Sequence, residues 1–353
     1  MKAREQGIVI GQLPIGEKNC ITDVASVMVG HVTLDYPLDD AGTEYACTGV
    51  TAILPHHGNL FKDKVTAASY VINGFGKTTG LVQVDELGVL ESPIMLTNTF
   101  GVPAVAQGTL AYMLGENPEI GETTGTINVV VGECNDSQLN SIRLFPVKPE
   151  HAIEAIKNAS NETAAEGAVG AGKGMVCFGY KGGIGSSSRV ADDYTVGCLV
   201  LTNFGKKEEF RSFQYDKLKG LSETADGSII IVLATDAPLS DRQLLRVAKR
   251  CGIGLGRTGS HFSHGSGDIV IAFSTAHNIP HFSEEMLESR IQIREDHPIM
   301  NRLFAAAAEA AEEAILNSLS QAVTTMGRAG RIVHQLDFWK EGHLNVFNNE
   351  GNS

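Results

Sequence analysis

Short apolar blocks rich in β-branched residues punctuate this chain and predict its strands. Residues 19–31 read as a turn followed by alternating β-branched positions, and 49–55 as a second strand. A strand follows the proline in 92–98. The blocks at 126–140, 196–203, 228–236 and 269–273 read as buried strands, the first ending in a polar cluster. Helical spacing or composition marks 81–90, 104–114, 149–165, 240–251 and a long segment over about 300–321. In 240–251, Leu244, Leu245, Val247 and Ala248 fall on one face, and Ser240 is placed to cap the helix. Glycine crowds 74–81, 167–175, 179–189 and 254–268, which predicts loops where backbones come close. Residues 206–226 read as a charged, exposed excursion and 345–353 as a frayed end. Without a repeat or a linker, the expectation is one layered α/β unit over 1–353.

The stretch 254–268 carries the first hint of chemistry. Its glycines and hydroxyl residues form a loop that runs straight into the apolar block 269–273, so Ser266 sits at a strand mouth. Gly265 before it accepts strained backbone conformations, and the serine hydroxyl can attack the carbonyl just before it. The product would be a new N-terminal serine. Its free α-amine has a reference pKa of roughly 7.7 to 8.0, so nucleophile and base would share one residue. On spacing alone, Gly-Ser also reads as an ordinary turn.

Composition narrows the partners. With 42% hydrophobic and 20% charged residues and 39 glycines, the 353-residue chain is globular and rich in tight turns. A net charge of -13 argues against nucleic acid and anionic membranes, both of which select basic patches, and leaves small substrates. The six cysteines contain no C-x-x-C pair and are expected as free buried thiols. The N-terminus lacks the apolar stretch of a signal peptide and no apolar run approaches the ~20 residues of a membrane span, so the expected location is the cytoplasm.

Three motifs fail on their context. Residues 167–173 match part of a phosphate loop, but Gly174 stands where the magnesium-binding Ser or Thr belongs. Gly254-x-Gly256-x-x-Gly259 matches a dinucleotide fingerprint but follows a helix and precedes a strand, inverting the required order. The pairs His261/His264 and His277/His281 lack an acidic or cysteine partner, so neither a metal nor a cofactor is expected.

Seven short blocks occur in an order that resembles a known family: Asn19-x-Ile-Thr-Asp-Val, Thr48-Gly-Val-Thr-Ala-Ile-Leu-Pro, Asn73-Gly-Phe-Gly-Lys, Gly132-Glu-x-Asn-Asp-x-x-Leu-Asn, Gly182-Gly-Ile-Gly-x-Ser-Ser-Arg, Ala234-Thr-Asp-Ala-Pro-Leu and Gly265-Ser-Gly-Asp. Together they are similar to the DmpA/BapA family of self-cleaving aminopeptidases, over about residues 8–325. The resemblance implies a four-layer αββα sandwich, autocatalytic cleavage into an α chain (1–265) and a β chain (266–353), and a homo-oligomer, often a tetramer. It implies a small peptide or aminoacyl amide as substrate.

Carried onto this sequence, the resemblance makes Ser266 the nucleophile, Asn203 the oxyanion-hole amide and Glu133 the carboxylate that receives the substrate ammonium. It puts Glu312 near the serine amine. The residues alone leave Asn203 open as a turn-capping amide, Glu133 as a surface acid and Glu312 as a solvated helix acid. Two positions depart from the pattern: Asn135 stands where some members have an aromatic residue beside the substrate, and Ala310 where some use a serine. The competing readings are an acyltransferase of similar architecture, like ornithine acetyltransferase, and an uncleaved, non-catalytic binding protein. The first is disfavoured by a serine where those relatives have threonine, the second by Ser266, Asn203 and Glu133 occurring together.

Overall fold

A computed structural model of the protein describes residues 1–210 and 227–338. The strands are β1 (Met28–Pro37), β2 (Tyr45–Leu54), β3 (Asp63–Gly74), β4 (Val89–Leu90), β5 (Ile94–Asn98), β6 (Val130–Cys134) and β7 (Val176–Cys177). They continue with β8 (Tyr180–Lys181), β9 (Gly183–Ala191), β10 (Tyr194–Asn203), β11 (Ser228–Thr235), β12 (Gly267–Pro280), β13 (Thr325–Met326) and β14 (Ile332–Val333). The helices are α1 (Leu81–Leu87), α2 (Val102–Glu116), α3 (Pro149–Lys157), α4 (Asp241–Ala248), α5 (Cys251–Arg257) and α6 (Ile299–Ser320).

Two sheets dominate, one of order β1-β2-β5-β6 and one of order β4-β3-β12-β11-β10-β9. The apolar runs lie in the second sheet because both of its faces are buried. Leu199, Leu201, Ile230, Val232, Ile271 and Phe273 point inward to meet Ile53, Leu96 and Val130 of the first sheet. The alternate residues Val200, Ile231, Leu233 and Val270 face outward onto α4, α5 and α6. On the far side, α2 and α3 cover Val50, Ala52 and Met95. The result is the four-layer αββα sandwich that the resemblance implies.

Several boundaries differ from the sequence expectation. The 81–90 helix stops at Leu87, where Gly88 takes a left-handed φ of 66° and the chain enters β4 against β3. The 149–165 helix stops at Lys157 because Ser160 turns back to exchange backbone hydrogen bonds with Val29. The 240–251 helix stops at Ala248, and residues 254–257, read as the start of a glycine loop, belong instead to α5. Gly254 is there for contact: a Cβ would lie 2.4 Å from the Ala308 carbonyl of α6. The block 269–273 is the centre of a longer strand, β12. Of the 206–226 excursion, residues 211–226 lie outside the described residues, and Phe210 is buried against Phe178 rather than exposed. The tail 345–353 also lies outside them.

Ser240 caps α4 as expected, its hydroxyl accepting from the Gln243 N–H at 3.2 Å. All six cysteines are buried and free. Among the described residues no helix is long and apolar enough to cross a membrane. The core also contains a charge cluster. Arg189 of β9, fully buried, binds Glu313 at 2.6 Å and Glu309 at 3.1 Å on α6, and Arg4 joins Glu313 at 2.9 Å.

Candidate active site

Strand direction brings one set of chain segments to a single end of the sandwich. β10 runs antiparallel to β11, β12 runs parallel to β11, and β3 runs antiparallel to β12. The exits of β10 and β3 therefore meet the entries of β11 and β12. From the other sheet, β5 and β6 run parallel, and their exits deliver Thr99 and Glu133. A cavity of about 610 Å³ opens there, lined in part by Phe75, Lys77, Glu133, Asn135, Asn203 and Gly265.

Ser266 lies just behind Gly265, 3% exposed. Its N–H donates to the Ser263 carbonyl at 2.9 Å, forming a tight turn at the strand entry. The Asn73 side-chain amide clamps that turn, donating to the carbonyls of Ser266 (2.5 Å), Ser263 (2.9 Å) and His264 (3.2 Å). Gly267 follows because β3 passes close by: a Cβ there would come within 2.9 Å of the Phe75 carbonyl. The Ser266 hydroxyl donates to Asp268 Oδ1 at 2.6 Å. Burial pushes the Asp268 carboxyl up to about 6, against the opposing pull of that hydroxyl.

Glu133 is 3% exposed at the end of β6. One carboxylate oxygen accepts from the Lys77 backbone N–H at 2.9 Å, and the other accepts a short hydrogen bond from the Thr99 hydroxyl. Both oxygens of the carboxyl are thereby fixed in direction on the cavity wall, aimed where a cation could meet them. Asn203 ends β10, half-buried, with both ends of its amide fixed. Oδ1 accepts from the Val176 N–H at 3.0 Å, and Nδ2 donates to the Asn135 carbonyl at 2.8 Å. An amide nitrogen carries two hydrogens, so one remains for an acceptor in the cavity.

Lys181 underlies this arrangement. Fully buried, it donates to the carbonyls of Gly172 (2.9 Å), Met175 (2.8 Å) and Gly182 (2.7 Å), which fixes the loop presenting Val176 to Asn203. Burial pushes its ammonium down to about 7. Asp136, next to Asn135, is also fully buried, takes a hydrogen bond from Asn140 at 2.9 Å and is pushed up to about 7 by burial.

The structure thus brings Ser266, Gly265, Asn203, Glu133 and Asn135 to one place. It does not bring Glu312. That residue is on α6, in an ion pair with Arg257 of α5 at 3.2 Å, and is not among the residues lining the cavity. Burial raises its carboxyl, with Arg257 opposing. Helix α6 packs on the outer face of the sheet while Ser266 stands at its end, and the carboxylate that meets the Ser266 hydroxyl is Asp268. Ala310 lies with α6 as well, its carbonyl accepting from Ser187 at 2.6 Å, so that departure is away from the cavity.

The residues missing from the sequence reading are Asp268, Thr99, Asn73 and Lys181. Asp268 and Asn73 had a signal, each standing in one of the seven blocks, and Asp268 a second one, since positions two apart entering a strand share a side. The histidines at 277 and 281 bond the Ile291 carbonyl (2.7 Å) and Thr124 (2.9 Å), and the described residues contain no cluster of three metal-ligating side chains.

Known proteins share the sequence and the fold. The chain is 38% identical to the β-peptidyl aminopeptidase BapA of Sphingosinicella microcystinivorans, across 95% of this chain and 89% of that protein. The PH0078 protein of Pyrococcus horikoshii OT3 superposes with a TM-score of 0.88 at 48% identity, over 97% of this chain and 98% of the other. The L-aminopeptidase D-Ala-esterase/amidase of Ochrobactrum anthropi, described as a prototype of the serine aminopeptidases and a variant of the Ntn hydrolase fold, superposes at 0.86 with 31% identity, over 97% and 99%. With the model of peptidase family S58 matching residues 19–333 as well, the chain belongs to that family.

Proposed function

We propose that this peptidase is an aminopeptidase acting on short peptides or aminoacyl amides with a free amino terminus, after cutting itself at Gly265-Ser266. Residues 1–353 form one unit that becomes an α chain (1–265) and a β chain (266–353). The freed α-amine of Ser266 takes the hydroxyl proton, and Oγ attacks the carbonyl of the substrate's first residue. The remaining N–H of Asn203 faces the developing oxyanion, an interaction worth roughly 3 to 4 kcal/mol in comparable sites. The leaving amine collects the proton, and water then hydrolyses the acyl-serine.

The observation that carries this reading is Glu133, a buried carboxylate with both oxygens held, on the wall of the cavity that Gly265 also lines. Burying such a charge beside a blocked, neutral amino terminus is unfavourable, so the site selects a free ammonium. Asn135 lies at the rim, where its exposed side chain can meet the substrate's first residue.

Intact mass and N-terminal sequencing test the cut. The expected result is two chains, the shorter starting Ser-Gly-Asp-Ile, with Ser266→Ala yielding one uncut chain. A shorter chain starting Ser-His-Phe, from cleavage at Gly259-Ser260, overturns the assignment.

A further inference from the structure

Self-cleavage poses a chemical problem that the mature mechanism does not solve. The base of the mature enzyme is the α-amine of Ser266, and in the uncut chain that nitrogen is an amide. It is bonded to Gly265, it donates to the Ser263 carbonyl at 2.9 Å, and it has no basic lone pair. The first cleavage therefore needs another proton acceptor on Oγ.

We propose that Asp268 is the catalytic base of self-cleavage, taking the Ser266 hydroxyl proton in the uncut chain. This rests on the reading that the chain cuts itself at Gly265-Ser266. The hydroxyl already donates to Asp268 Oδ1 at 2.6 Å. Asp268 is fully buried, and its second oxygen, Oδ2, has no hydrogen-bond partner among the described residues. A carboxylate this poorly solvated is more basic than one in water, and burial carries it to about 6. It can then ionise at neutral pH and still accept a proton.

The step balances as an N-to-O acyl shift. Oγ loses its proton to Asp268 and bonds to the Gly265 carbonyl carbon, giving a tetrahedral oxyanion. The C–N bond breaks, and the nitrogen takes the proton from the Asp268 carboxylic acid. This leaves Gly265 esterified to Oγ and a free amine on Ser266. Water attacks the ester, the C–Oγ bond breaks, and the products are the Gly265 carboxylate, the Ser266 hydroxyl and a protonated amine. The Asn73 amide, bonded to the carbonyls of Ser263, His264 and Ser266, holds the turn on both sides of the Gly265 carbonyl.

The groups around Asp268 do not supply a competing base. Its partners in β3 and β11, Asn73 and Ile229, carry no charge. From β6 it faces the Cys134 thiol, which burial, with Glu133, Asp268 and Asp136, pushes far up and keeps protonated. His264 lies in the same turn, its carbonyl bound by Asn73 and its ring against Phe75 at 6.4 Å between centroids.

The test follows the uncut chain made by cell-free synthesis, with cleavage timed on a denaturing gel. General bases contribute about 10² to 10⁴-fold, so Asp268→Asn, which keeps the shape, is expected to slow cleavage at least about 100-fold while circular dichroism shows a native fold. Hydroxylamine, which cuts esters, is expected not to restore the rate, because no ester forms. Wild-type cleavage is expected to rise through pH of about 6 and level off, which requires no variant and decides the matter if Asp268→Asn fails to fold. Asp268→Asn cleaving at the wild-type rate, rescue by hydroxylamine, or a wild-type limb centred near the roughly 7.7 to 8.0 of an α-amine overturns the proposal. If the wild type is not cut at Gly265-Ser266, the self-cleavage reading itself fails, and Ser266→Ala as a control separates the two failures.

Discussion

Glu133→Gln removes one charge from the cavity wall and little else. The glutamine oxygen can still accept the Lys77 N–H, and the Thr99 hydroxyl can turn from donor to acceptor, so both anchors of the side chain survive. What is lost is attraction to the substrate ammonium. At contact distance of about 3 Å and an effective dielectric of about 20, the gross Coulomb attraction is about 5 kcal/mol, from which desolvation of the ammonium must be subtracted. Truncating one member of a buried charge pair typically costs about 2 to 5 kcal/mol, which is about 30-fold to several thousand-fold in kcat/KM. The assay is the release of p-nitroaniline from a panel of free and N-acetylated aminoacyl p-nitroanilides. Wild type is expected to cleave only the free forms, and Glu133→Gln to lose at least about 30-fold on them. A loss under about 3-fold, or equal turnover of acetylated and free substrates by wild type, refutes the role of Glu133.

Two further outcomes follow from charges on α6. Glu312→Gln is expected to leave the pH profile of kcat/KM where it is, because the residue pairs with Arg257 rather than with Ser266. Its folded-state carboxyl is raised, so its charge costs stability once pH climbs past its unfolded value; removing it should change unfolding by at most about 1 kcal/mol, and a shift of the ascending limb restores the sequence-based assignment. Arg189→Met strands Glu309 and Glu313 in the core and is expected to cost about 3 to 5 kcal/mol, measured by urea unfolding of the Ser266→Ala chain. A loss below about 1 kcal/mol would show the cluster to be relieved by Arg4 alone.

Much of the fold could be read from the sequence because its strands are buried on both faces, and runs such as Ile229–Ala234 have no other stable setting. Helix α5 could not, since Gly252, Gly254 and Gly256 argue locally against a helix. The reason for Gly254 is the approach of α6 at Ala308, a contact far along the chain. The acids of α6 show the same limit. Glu309 and Glu313, four apart, share the face that meets Arg189, and Glu312 points to Arg257, but composition alone makes the three equivalent. Ser266 and Glu133 were picked out by family blocks and Asn203 by its match to the family's amide, and the three fall at one end of the sandwich. Thr99 and Lys181 were not, because what matters in them is a hydrogen bond to a residue far along the chain.

β12 is an interior strand, hydrogen-bonded to β3 on one side and β11 on the other. Once Gly265-Ser266 is cut, the strand that begins at residue 267 belongs to a separate polypeptide enclosed by the longer one. Folding of the uncut chain is unimolecular, but recovery after unfolding of the cut enzyme requires two molecules to meet and reinsert a central strand. The mature protein is therefore expected to persist through the height of its unfolding barrier rather than through reversible refolding, and each molecule has one opportunity to assemble.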